Sequence, residues 1–299
     1  WISDNHDIYY KPAPYFRRVF EIEKSVKSAR AYITVAGLYE LYINGCRVGN
    51  HILDPMYTRY DRRNLYVTYD VTSQLQRGKN VMGVLLGNGW YNHQSLAVWN
   101  FHNAPWRNRP AFCLDLKIVY EDGSIEVVSS DKDWKTSTGS LISNSIYTGV
   151  HYDARQEQKG WSTIEFNDSE WEDVIYRSVP SQKIVAQQMH PIRVVDTVNT
   201  AKLNRINDTT YVFDFGRNMA GITLLKVRGE SGTIIRLKHG ERIYPNGLVD
   251  VSNIDVYCQP VVLSDPFQTD IMILRGGEEE KFLTKFNYKG FRYVEVTSN

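Results

Sequence analysis

Cysteine is scarce in this 299-residue chain. Cys46, Cys113 and Cys258 are odd in number and far apart, so neither a disulfide framework nor zinc-ligand spacing is present, and buried free thiols are expected. Long apolar runs are missing as well. No stretch approaches the length needed to span a bilayer as a helix, and the chain opens at Trp1 without the charged and apolar regions of a signal peptide. Membrane insertion is therefore not expected, and localisation stays open between periplasm, extracellular space and cytoplasm. Charge of one sign is absent too: 35 basic against 34 acidic residues leave +1, without the basic surplus that a phosphate-backbone partner favours. No nucleic-acid partner is expected.

Catalytic signatures are equally thin. The seven histidines show no metal-ligand spacing, and no Gly-x-Ser-x-Gly elbow occurs. Asp214-Phe215-Gly216 spells the magnesium triplet of kinases but lacks a glycine-rich phosphate loop and a His-Arg-Asp catalytic loop, so it reads as a strand end with a turn glycine. Glycoside hydrolysis needs two carboxylates, one kept protonated. Glu241, Asp250 and Asp255 share one loop-rich stretch, and Asp153 and Glu157 another. Solvated loop carboxylates, or a structural calcium cluster around Asn246 to Asp255, are the competing readings. No other cofactor is implied.

What the chain does have is aromatic side chains and period-2 patterning. Twenty Tyr, eleven Phe and seven Trp suit pleated, half-buried strands. Tyr39-Glu40-Leu41-Tyr42-Ile43 runs into Asn44-Gly45, a type I′ hairpin signal, and Cys46-Arg47-Val48 returns. Leu65, Val67, Tyr69 and Val71 alternate with polar neighbours, and Val81 to Leu86 is a short core run ending in Gly87-Asn88-Gly89-Trp90-Tyr91. Short strands separated by turn residues continue to the end, among them Tyr211 to Gly216, Thr233 to His239 and Phe291 to Val296, with Lys289-Gly290 read as a turn. No long 3.6-period segment interrupts them. The expectation is all-β: two antiparallel, jelly-roll-like β-sandwich domains in tandem. A polar, Ser/Gln-rich link near Pro180 to Gln188 places the boundary between 1–183 and 184–299.

The irregular stretch 92–110 is long and aromatic, as functional loops often are. Trp90, Tyr91, Trp99 and Trp106, with Asn88, are the candidate residues for a sugar platform or a domain interface. The competing reading is that they plug the end of the first sandwich.

Several ordered motifs resemble those of bacterial α-L-rhamnosidases. Tyr39 to Gly45, Tyr60-Asp61-Arg62-Arg63-Asn64-Leu65-Tyr66 and Leu86 to Tyr91 look like the family's N-terminal, galactose-binding-like sandwich. Tyr147 to Arg155, Gly160-Trp161 and Asp168-Ser169-Glu170-Trp171 resemble the end of that domain. Pro191 to Val195, Asp214 to Gly221, His239-Gly240-Glu241 and Phe286 to Val294 resemble its second, concanavalin-like sandwich. The resemblance implies inverting removal of terminal α-L-rhamnose from a rhamnose-containing glycan. It assigns that chemistry to two glutamates on an (α/α)₆ barrel that follows the second sandwich. No position of this chain receives those roles, and the implied partner is a C-terminal catalytic barrel. A carbohydrate-binding module acting on its own is the alternative.

Overall fold

A computed structural model describes residues 1–178, 180–258 and 264–299. Among them every regular element is a strand or a single 3₁₀ turn, and no α-helix occurs. The chain divides into two compact units. Trp1–Asn92, Pro105–Gly139 and Gln158–Val194 form the first, and His93–Ala104, Ser140–Glu157 and Val195–Asn299 form the second.

The first unit is a sandwich of a seven-stranded and a six-stranded sheet. Strands Val26–Ala36 and Ala111–Tyr120 pair antiparallel at the centre of one sheet, and Pro14–Ile22 and Gly78–Gly87 at the centre of the other. Alternation aims Ala29, Ala31, Ile33, Leu114, Leu116 and Ile118 from one layer at Phe16, Leu41, Ile43, Met82 and Val84 from the other, and all are buried. Removal of this apolar area from water is the main stabilising term. Trp134 fills the interior with no exposed surface, edge-on to Phe112 at 5.2 Å, and its indole N–H donates to the Ser129 carbonyl at 3.0 Å. The segment from Trp161 to Asp168 is tied down differently. The buried Arg17 guanidinium donates to the Trp161 carbonyl (3.0 Å), the Thr163 carbonyl (2.9 Å) and the Asp168 carboxylate.

The Asn44-Gly45 turn forms as its dipeptide dictates. Strands Leu38–Ile43 and Cys46–Arg47 pair antiparallel, and the two turn residues have φ of 49° and 81°, both positive as a type I′ turn requires. The Asn44 amide spans the fold, donating to the Gln74 carbonyl at 3.0 Å and accepting from Val81 N–H at 2.8 Å. A Cβ on Gly45 would lie 3.0 Å from the Thr163 methyl. Gly45→Val, a β-branched residue at positive φ, should cost about 1–3 kcal/mol in chemical denaturation, and an unchanged midpoint would contradict the turn.

The second unit is built on a seven-stranded sheet, with strand pairs Leu224–Val227/Glu280–Leu283 and Arg242–Ile243/Val249–Asp250 beside it. Its long central strands, Thr210–Gly221, Ile234–Gly240 and Lys289–Ser298, match the expected positions. Lys289, expected in a turn, begins the last of these strands and is buried. Asp214-Phe215-Gly216 is a strand irregularity: the register with Lys289–Ser298 shifts between Asp214 and Met219, and Asp214 forms a two-pronged ion pair with Arg292 at 2.8 and 2.9 Å.

The expected boundary at 183/184 needs correcting. Ile184–Ala186 is not a link but a strand, paired in parallel with Asn64–Asp70 in the first unit, which runs on to Val194. The hairpin Leu141–Ser145/Gly149–Asp153 leaves the first unit instead, because Gly149–Asp153 pairs in parallel with Thr269–Ile273 of the second. Among the described residues these parallel pairs are exceptions to an otherwise antiparallel pattern.

Candidate functional site

The loop after strand Gly78–Gly87 turns sharply at Gly89, whose φ is +49° and where a Cβ would sit 2.9 Å from Leu38 Cγ. That turn directs Tyr91 inward, against Tyr60 at 5.1 Å. Tyr60, Tyr91 and Ala36 form a small buried cluster on which Trp1, Trp90 and Trp106 pack while remaining half-buried. The indole N–H of Trp106 donates to the Trp90 carbonyl at 3.3 Å. Tyr57, 43% exposed, lies edge-on to Trp90 at 6.1 Å and tilted to Trp106 at 6.5 Å. Burial pushes the Tyr91 phenol up to about 12 and the Tyr60 phenol higher still, so both stay neutral.

The five expected site residues therefore divide. Trp90 and Trp106 meet at one partly open aromatic patch, together with Tyr57, which sequence reasoning missed. Tyr91 and Asn88 are each 3% exposed and offer no surface to a ligand. The Asn88 carbonyl oxygens instead hold the loop: the backbone one accepts from Tyr91 and Asn92 N–H, the side-chain one from the Asn92 amide at 3.2 Å. Trp99 is 62% exposed and belongs to the second unit.

The carboxylates weighed as a catalytic pair are otherwise engaged. Asp153 pairs with Arg155 through both oxygens, Glu157 with Arg275 at 2.7 Å, and Asp250 with Arg242 at 2.9 Å, while Glu241 accepts from Asn218 at 2.9 Å. Hydrogen bonds from Arg155 lower the Asp153 carboxyl, those from Ser252 lower that of Asp250, and those from Arg292 lower that of Asp214. All three shifts oppose the raised pKa of a general acid. Around Asn246 the side chain accepts from Leu248 N–H, and among the described residues no group of three or more His, Cys, Asp or Glu side chains is placed to hold a metal ion.

Fold and site together define a two-unit, all-β protein with aromatic surface patches and heavily paired carboxylates. Residues 24–196 match the α-L-rhamnosidase N-terminal domain, and residues 204–299 match the bacterial α-L-rhamnosidase concanavalin-like domain. The chain belongs to the α-L-rhamnosidase family. It is 37% identical over 276 residues to an α-L-rhamnosidase of Streptomyces avermitilis, covering 92% of this chain and 26% of that protein. The structure of an α-L-rhamnosidase from Dictyoglumus thermophilum superposes with a TM-score of 0.89 at 38% identity, covering 99% of this chain and 33% of that one. That of the Streptomyces avermitilis enzyme complexed with L-rhamnose gives 0.89 at 35% identity, over 96% and 27%. The chain thus spans 26% to 31% of the length of the curated relatives it matches.

Proposed function

We propose that this chain is the non-catalytic, double-sandwich part of a glycoside hydrolase that removes terminal α-L-rhamnose from a rhamnose-containing glycan with inversion. The observation that carries the reading is the coverage: two rhamnosidase domain families account for 24–196 and 204–299, while the relatives are about three to four times longer. The pairing of the chain's carboxylates supports it. Inversion needs an acid and a base roughly 6.5–9.5 Å apart with a water between them, and the acid must hold its proton near neutral pH. Asp153 and Asp250, held ionised by Arg155 and Ser252, are unsuited to that role. The chemistry is then supplied from outside these residues, by a catalytic domain of the same protein. The test is to carry the chain on through its natural downstream sequence and follow an aryl α-L-rhamnoside by NMR. Release of the β-anomer of rhamnose first is expected; release of the α-anomer first, or no release, overturns the reading.

The open patch of Trp90, Trp106 and Tyr57 favours a second reading, a sandwich that itself binds carbohydrate. Aromatic faces with one polar edge suit a pyranose ring, whose axial C–H groups are apolar.

A further inference from the structure

A groove on the first unit is built differently from the aromatic patch. Strand Asn64–Asp70 contributes Tyr66, Val67 and Thr68, and its parallel neighbour Ile184–Ala186 contributes Ala186. The segment that follows supplies Gln187, Met189, Pro191 and Arg193, and is fastened by the Ile52 N–H donating to the Ile192 carbonyl at 2.9 Å. Together with His51 these residues line an open groove of about 310 Å³, at the lower end of the range for small-molecule sites.

Its polar side is preorganised. Asp54 is 2% exposed and accepts from His51 Nδ1 at 2.7 Å and from the Gln187 amide at 3.1 Å. Gln187 is held in turn by Met56 N–H, which donates to its Oε1 at 2.9 Å. Tyr69 lies behind, with Tyr39 at 3.1 Å from its hydroxyl and His51 Nδ1 at 3.3 Å. Arg193 Nη2 lies 3.2 Å from His51 Nε2. A guanidinium only donates, so Nε2 accepts and the imidazole proton sits on Nδ1, facing Asp54. This chain of contacts aims Arg193 at the groove, and among the described residues no carboxylate pairs with it. A guanidinium with N–H groups to spare beside a cavity is complementary to a carboxylate. Tyr66 and Met189 line the groove with apolar surface on which a sugar ring can pack, and Gln187 and Thr68 add polar groups to the lining.

We infer that this groove binds a saccharide carrying a carboxylate, a hexuronate residue, with Arg193 on the carboxylate and the ring against Tyr66. The inference rests on the carbohydrate reading above and names the acidic class of sugar that the first unit takes. None of its lining residues belongs to the patch of Trp90, Trp106 and Tyr57.

The 299-residue chain is titrated with D-glucuronate and with D-glucose by saturation-transfer NMR and calorimetry, with sodium acetate as competitor. Glucuronate should bind at least about tenfold tighter than glucose, weaken as salt is raised, and resist acetate at equal concentration. Arg193→Gln, a change at an exposed side chain whose folding is checked by its melting curve, should weaken glucuronate by about tenfold or more, and Arg193→Lys by less. Equal binding of the two sugars, displacement by equimolar acetate, an unaffected Arg193→Gln variant or no binding of glucuronate each overturns the proposal. The outcome is independent of hydrolysis. Rhamnose release by the longer protein without glucuronate binding removes only this inference, whereas glucuronate binding without rhamnose release removes the hydrolase reading.

Discussion

Lys289→Met should destabilise the protein by about 3–5 kcal/mol, the range for removing one partner of a buried ion pair. Lys289 and Asp270 are 2% and 0% exposed in their side chains and meet at 2.7 Å. Each has further partners: Lys289 also donates to the Asn287 side chain at 2.7 Å, and Asp270 accepts from Thr284 Oγ1 at 2.7 Å and Val150 N–H at 2.9 Å. Burial works to raise the Asp270 carboxyl, but the Lys289 and His239 charges and the hydrogen bonds outweigh it, and its pKa is lowered. Burial lowers the Lys289 amine against the opposing pull of Asp270. Methionine fills the volume of the lysine stem but leaves the carboxylate buried without its cation. The variant's Asp270 would then hold a proton more tightly folded than unfolded, so part of the loss should return on acidification. Lys289→Met combined with Asp270→Asn should be more stable at neutral pH than Lys289→Met alone. Urea unfolding of the single and double variants measures both effects, and a single variant within about 1 kcal/mol of the parent, as for most surface changes, would contradict the buried pair.

The same cluster should make the protein acid-sensitive. His239 is fully buried; its Nδ1 donates to the Gln268 carbonyl at 3.1 Å, and Nε2 accepts from Thr223 Oγ1 at 2.6 Å. Burial, helped by the Lys289 charge and opposed by Asp270, lowers its pKa from 6.5 to about 4. Between those values the unfolded imidazole binds a proton that the folded one does not. Stability is therefore full above the unfolded pKa and falls as pH drops toward 4, by about 2 kcal/mol between pH 7 and pH 5. His239→Gln, which keeps a donor and an acceptor at the site, should flatten that part of the profile. Stability measured at a series of pH values decides it: an equal slope in parent and variant would remove His239 as the cause.

Local patterning made most of the fold legible. Alternation in Leu65 to Val71 and the positive-φ demand at Asn44-Gly45 act within a few residues, and both gave the observed strands and turn. Long-range pairing carries no such signal. The hairpin at 141–153 looks in sequence like the end of the first domain, yet its hydrogen bonds go to residues 271–273 in parallel register. Lys289-Gly290 has turn composition, and only the distant carboxylate of Asp270 explains why a lysine starts a core strand there. Between residues 90 and 110 the sequence shows aromatics but not their direction: Tyr91 turns inward against Tyr60, while Trp99 is exposed. The Arg193 groove was hidden for the same reason: Asp54 and Gln187, which brace it, are 133 positions apart.

The proposed function makes these residues the supporting sandwiches of a rhamnosidase and not its active centre. The direct measurement is aryl-group release from an aryl α-L-rhamnoside by the purified 299-residue chain, beside the same chain carried through its natural downstream sequence. The account predicts no turnover above buffer by the short chain and clear turnover by the long one. Robust turnover by the short chain, abolished by Glu241→Gln or Asp250→Asn, would contradict it.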